Sequence, residues 1–244
     1  MIIVQTELAA DVIRAPAAIS RRERWIDLLF VLGIALWQPI FTSTVLALHM
    51  PEPASGNTNL RVVHGLLFEA AGLATLAYVL WKRRAGIVAL TRSPKWSDFP
   101  IGAALCILTL MVSGVAAVMM QYAWLVASGH PPFRPDVPRM MGMQPSAAWL
   151  IYLLVNPWAE ELVVRGFLMT EVTALAGVGT AVIVSTLVQV SYHLYQGRFN
   201  ATGIAVVFLG FSLYYASTRR LLPVVVAHTL MDLMSFAYFV HQHH

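Results

Sequence analysis

Charge is scarce in this chain. Only 11% of its 244 residues are Asp, Glu, Lys or Arg, whereas a soluble domain carries roughly 25%. That excludes an ordinary water-soluble globule. Cysteine is scarcer. Cys106 stands alone, so no disulfide can form within the chain, and its place in an apolar run makes it a packing residue rather than a nucleophile. Excess charge of one sign is missing too. The formal net charge is +4, carried by Arg and Lys between apolar runs, which reads as membrane topology and not as a nucleic-acid footprint. There is no internal repeat and no tight zinc motif such as His-Glu-x-x-His. The N-terminus through Ser20 lacks a signal-peptide pattern. Glu7, Asp11 and Arg21-Arg22-Glu23-Arg24 mark residues 1–25 as a polar arm retained before the first apolar run.

Apolar length is abundant. Hydrophobic residues make up 58% of the chain and mean hydropathy is +0.68. The runs are about 20 residues long, the length of a membrane-crossing helix and not of a barrel strand. The expected fold is therefore an all-α, polytopic transmembrane bundle of about seven helices. Its spans fall near 26–49, 62–81, 100–127, 146–173, 178–197, 202–218 and 222–240. Turn-rich stretches follow the first span (Pro51–Asn57) and the third (His130–Pro138), whereas later connections are short and predict antiparallel neighbours. Arg and Lys cluster before the first span, after the second (Lys82, Arg83, Arg84, Arg92, Lys95) and after the sixth (Arg219-Arg220). That bias predicts a cytoplasmic N-terminus and an extracytoplasmic C-terminus. It divides the chain into a cytoplasmic arm (1–25), N-terminal helices (26–127), an extracytoplasmic loop (128–145) and a C-terminal core (146–240). Trp25, Trp81, Trp96, Trp124, Trp149 and Tyr152 near span ends read as interfacial aromatics. The terminal His241-Gln242-His243-His244 reads as a frayed tail, Asp27 and Gln121 as solvated groups near interfaces, and the methionines as packing residues. Glu69, with His64 nearby, is a packing acid or a cavity residue.

Against this background one segment is anomalous. Glu160, Glu161 and Arg165 lie within an apolar stretch, where a charge costs roughly 2.5 to 17 kcal/mol at mid-bilayer. On a helix Glu161 and Arg165 share a face and can neutralise each other, while Glu160 points elsewhere without a local counter-ion. An uncompensated buried carboxyl can act as a proton acceptor. An inert ion network locking the helices fits this segment alone equally well. Three downstream residues extend the set: His193 late in the fifth span, and His228 and Asp232 four apart in the seventh. Together they can orient a water, or hold a divalent metal and a water. These groups would have to share one depth although the spans separate them. Asn156-Pro157 offers a break that could shift the fourth span, and Gly197 and Asn200 could let the fifth extend.

Glu160-Glu161-x-x-x-Arg165 followed by Gly166-Phe167, then His193, then His228-x-x-x-Asp232, resembles the CPBP family over roughly 145–237. That family comprises CAAX prenyl endopeptidases and bacteriocin-processing and bacteriocin-immunity (Abi-domain) proteins. The second motif departs from the family pattern: Gln189 stands where a Phe usually precedes the His by four. The resemblance implies an intramembrane endopeptidase, integral to a bacterial cytoplasmic membrane, that cleaves a membrane-associated or lipidated protein or peptide. Glu160 would activate the water with His193 assisting, while His228 and Asp232 would stabilise the oxyanion and position the water, beside Glu161 paired to Arg165. The Asp can do this only if protonated or acting through His228. The family reading admits no required cofactor or a divalent metal such as zinc, with Glu160, His193 and His228 as candidate ligands; the absence of a tight motif favours the metal-free form. The rival readings are a non-catalytic bacteriocin-immunity or partner-binding membrane protein and a small proton-coupled transporter. No pair of broken helices supports the transporter.

Overall fold

The computed structural model describes residues 19–49, 58–131 and 146–243. Glu7, Asp11 and Arg14 of the arm, the Pro51–Asn57 connector, most of the 128–145 loop with Arg134, Arg139 and Met140-Met141, and His244 lie outside the described residues. The described chain is helical, with α1 Arg21–His49, α2 Thr58–Lys82, α3 Asp98–Ser128, α4 Ala147–Glu161, a π-helical segment Leu162–Leu168, α5 Met169–Ala176, α6 Val178–Ser191, α7 Arg198–Thr218 and α8 Leu222–His243. A reciprocal cap starts α1. The Glu23 N–H donates to Ser20 Oγ at 3.2 Å, and the Ser20 N–H donates to Glu23 Oε2 at 3.0 Å.

Among the described residues six helical stretches are long and apolar enough to cross a membrane: 21–48, 59–82, 98–128, 147–176, 199–218 and 222–241. Leu29, Phe41, Leu67, Ile107, Val118 and Leu213 are all more than half exposed on their outer faces, as a lipid-facing surface requires. The chain is an integral membrane protein. Helix α6 differs from the fifth span expected over 178–197. Its 14 residues reach about 21 Å, short of the roughly 30 Å hydrocarbon core. The apolar run overstates the helix because the backbone turns at Tyr192 and His193. Gly197, at φ 88°, then reverses the chain into α7, a conformation few side chains tolerate.

Buried ion pairs gather one end of the bundle. Asp27 of α1 takes Lys82 at 2.5 Å and Arg83 at 2.8 Å, while Glu171 of α5 takes Arg83 at 2.7 Å and Arg24 at 3.1 Å. Burial opposes the charge on Arg83, but Glu171 and Asp27 outweigh it and hold the guanidinium above its ordinary range. Asp27 is thus buried and paired, not solvated as its position suggested. Trp149 is also buried, with Val62, Leu153, Phe236 and Phe239, rather than interfacial. Met119 faces outward, and α8 stays helical through His243 instead of fraying.

Neighbour relations also depart from the expected chain order. Helix α3 packs closely on both α7 and α8, which touch each other little. Small residues allow this approach. A Cβ on Gly102 would lie 2.7 Å from the Pro223 carbonyl oxygen and 2.6 Å from Val226 Cβ, and one on Gly210 would lie 2.9 Å from Thr109. Gly102→Leu is therefore expected to force α3 off α8 and destabilise the protein by about 1–3 kcal/mol or more. Thermal unfolding in detergent reads this out, and an unchanged midpoint would contradict the packing.

Candidate active site

Glu160 and Glu161 end α4, where the helix widens into the π segment. Widened turns of this kind are frequent at functional sites. The break does not fall at Asn156-Pro157: Pro157 sits inside α4 and the helix continues through it. The two carboxylates have different surroundings. Glu161 is wholly buried. Its Oε2 lies 3.2 Å from Arg165 Nε, and its Oε1 accepts from His228 Nδ1 at 2.8 Å and from Gln189 Nε2 at 3.4 Å. Arg165, also wholly buried, donates to the Phe208 carbonyl at 3.3 Å, and its guanidinium carbon lies 4.9 Å from the Phe208 ring centre and 5.9 Å from that of Phe211. Glu160 is partly accessible. Its Oε2 accepts one hydrogen bond, from the Tyr192 hydroxyl at 2.9 Å.

The depth mismatch anticipated from the spans is resolved by the shortness of α6. His193 lies just past the end of α6, inside the bundle and not at its far surface. Its Nδ1 is 2.8 Å from the Gln189 carbonyl. A carbonyl only accepts, so Nδ1 carries the proton and Nε2 is left as an acceptor. The ring packs on Tyr192 and Phe208, with centroids 4.7 Å and 5.1 Å away. His228 arrives on α8, one edge bound to Glu161. Its Nε2 is 3.9 Å from Asp232 Oδ1, too far for a hydrogen bond and close enough for charge to act. His193, His228 and Asp232 line one open cavity of about 270 Å³. Glu160 is an electrostatic neighbour of all three.

The cavity is not walled by the C-terminal helices alone. Leu110, Ser113, Gly114 and Ala117 of α3 line it, so the N-terminal half shapes the site. Gln189, Tyr192 and Phe208 are site residues that the sequence reading did not assign. Gln189 carried a signal, a polar side chain in an apolar run where the motif has Phe. Phe208 carried none. Glu69 on α2 has Tyr152 and Glu160 as neighbours, and both its carboxylate oxygens are buried. His64 meets the Phe68 ring edge-on, with centroids 4.8 Å apart.

Among the described residues no three His, Cys, Asp or Glu converge as ligands. The carbonyl on His193 Nδ1 and the carboxylate on His228 Nδ1 fix the two rings and leave Nε2 of each as the nitrogen without a hydrogen bond among the described residues. Residues 142–234 match the family model of the Rce1-like, type II CAAX prenyl endopeptidases. No curated protein and no solved structure matches the chain.

Proposed function

We propose, from the premise that this chain belongs through residues 142–234 to the CAAX prenyl endopeptidase family, that it hydrolyses a peptide bond of a membrane-associated protein or peptide with water activated by Glu160. The observation that carries this reading is the asymmetry of the glutamates. Glu161 is wholly buried against Arg165, His228 and Gln189, while Glu160 is only half-buried, accepts from the Tyr192 hydroxyl, and is an electrostatic neighbour of the cavity residues His193, His228 and Asp232.

The steps follow from the available atoms. Glu160 takes a proton from water as the oxygen attacks the scissile carbonyl carbon. His193 Nε2, an acceptor, holds the second water hydrogen and aims the lone pair. The carbonyl π electrons move onto oxygen. His228, anchored through Nδ1 to Glu161 and in its protonated form, donates from Nε2 to that oxyanion, with Asp232 supporting the charge. Collapse breaks the C–N bond, and the proton on Glu160 passes to the leaving amine. The Tyr192 hydroxyl holds Glu160 in place. The basic end of the bundle is the cytoplasmic one.

Quantitative mass spectrometry of protein termini tests this in membranes of cells producing the wild-type, Glu160→Gln or His228→Ala protein. Termini made by the wild type and lost in both variants are expected. A terminus pattern identical in all three would overturn the hydrolase reading in favour of a partner-binding protein. Turnover of a substrate so identified is expected to withstand a chelator, because among the described residues no three His, Cys, Asp or Glu side chains are placed to hold a metal ion together.

A further inference from the structure

The connector between α2 and α3 is stapled to the turn between α7 and α8. The Tyr215 hydroxyl donates to the Leu90 carbonyl, the Arg92 N–H donates to the Arg219 carbonyl at 2.9 Å, and the Leu221 N–H donates to Thr91 Oγ1 at 3.0 Å. Between the two loops lies an open depression of about 550 Å³, lined by Val88, Ala89, Thr91, Arg92, Ser93 and Arg219. It therefore holds two arginines and two hydroxyls on a fixed frame.

The charges around it are uneven. Arg24, Lys82, Arg83 and Arg220 at this end each face a carboxylate. Among the described residues no carboxylate forms an ion pair with Arg92 or Arg219. Arg219 is nonetheless held in place. Its Nη2 donates to Thr170 Oγ1 at 2.9 Å, and its guanidinium carbon lies 4.9 Å from the Tyr215 ring centre. A held guanidinium, Arg219, with a second, exposed arginine on the same pocket wall and no carboxylate paired to either among the described residues, suits a phosphate. The surrounding chain is apolar and outward-facing: Ile87 is 53% exposed, Val88 75% and Trp96 89%. At the end of a membrane bundle such side chains lie at the boundary between headgroups and acyl chains.

We propose that this depression binds the phosphate of an anionic phospholipid in the leaflet at the basic end, gripped by Arg92 and Arg219 while Ile87, Val88 and Trp96 contact its acyl region. The shared chemistry is a phosphate anion, and the apolar rim selects the lipid over the free ion.

Native mass spectrometry of the full-length protein in neutral detergent tests the site. Phosphatidylglycerol, phosphatidylcholine and inorganic phosphate are the probes. The expected result is phosphatidylglycerol retained in preference to the other two, with affinity falling about fivefold for each of Arg92→Gln and Arg219→Gln. Arg219→Lys, which keeps the charge, is expected to recover part of the loss, so a fold defect at Arg219 remains distinguishable. Arg22→Gln, an exposed charge on α1, is expected to leave the affinity unchanged. Equal retention of phosphatidylcholine, equal binding of inorganic phosphate, an unchanged Arg92→Gln variant, or an equal loss in Arg22→Gln would each overturn the proposal.

Discussion

Glu160→Gln is expected to lower turnover by a factor of roughly 10² to 10⁴, the range of a general base, while leaving the thermal unfolding midpoint near that of the wild type. The substitution is isosteric, and the amide oxygen can still accept from Tyr192, the one hydrogen-bond partner of Glu160 among the described residues. What is lost is the proton acceptor. The two readouts together separate chemistry from architecture. A variant that folds normally and still processes substrate would remove Glu160 from the mechanism.

Arg165→Met is expected to do the opposite and to act through the fold. Arg165 and Glu161 are both wholly buried, and the arginine lies against the Phe208 and Phe211 rings. Removing one member leaves the other charge buried without compensation, at a cost of about 3–5 kcal/mol. The arginine's contacts with the faces of Phe208 and Phe211 are lost as well. The double change Glu161→Gln with Arg165→Met removes the orphaned charge and is expected to recover a large part of that stability without restoring activity, because His228 loses its carboxylate anchor. Unfolding of the single and double variants in detergent gives the comparison. A double variant no more stable than Arg165→Met would show that the charge itself is not what the pair protects.

Hydropathy was enough to read the all-helical class, because the bilayer demands long apolar runs and few charges, and both are counted along the chain. The division between the two glutamates was also legible. The i,i+4 spacing assigns Arg165 to Glu161, and the 3.2 Å contact is the local geometry that spacing dictates even through the widened π turn. Asp27 was misread because its partners, Lys82 and Arg83, lie on another helix. Gln189 was noticed as an oddity, but its reach to Glu161 crosses from α6 to α4. The role of α3 in the cavity was hidden for the same reason: Gly102 and Gly210 permit close approach, yet a glycine does not name the helix that will approach it.

The sequence by itself determined that this protein lives in a membrane as a helical bundle, which charges are expensive there, and which of them can cancel locally. Those are properties of composition and of short-range spacing. Only the tertiary structure decided how His193, His228 and Asp232 come to line one cavity with Glu160 as their electrostatic neighbour. That depended on α6 ending after 14 residues and on a π segment re-aiming the chain after Glu161. The apolar run continues past the end of α6, so burial by other helices, not hydropathy, fixes the depth of the site.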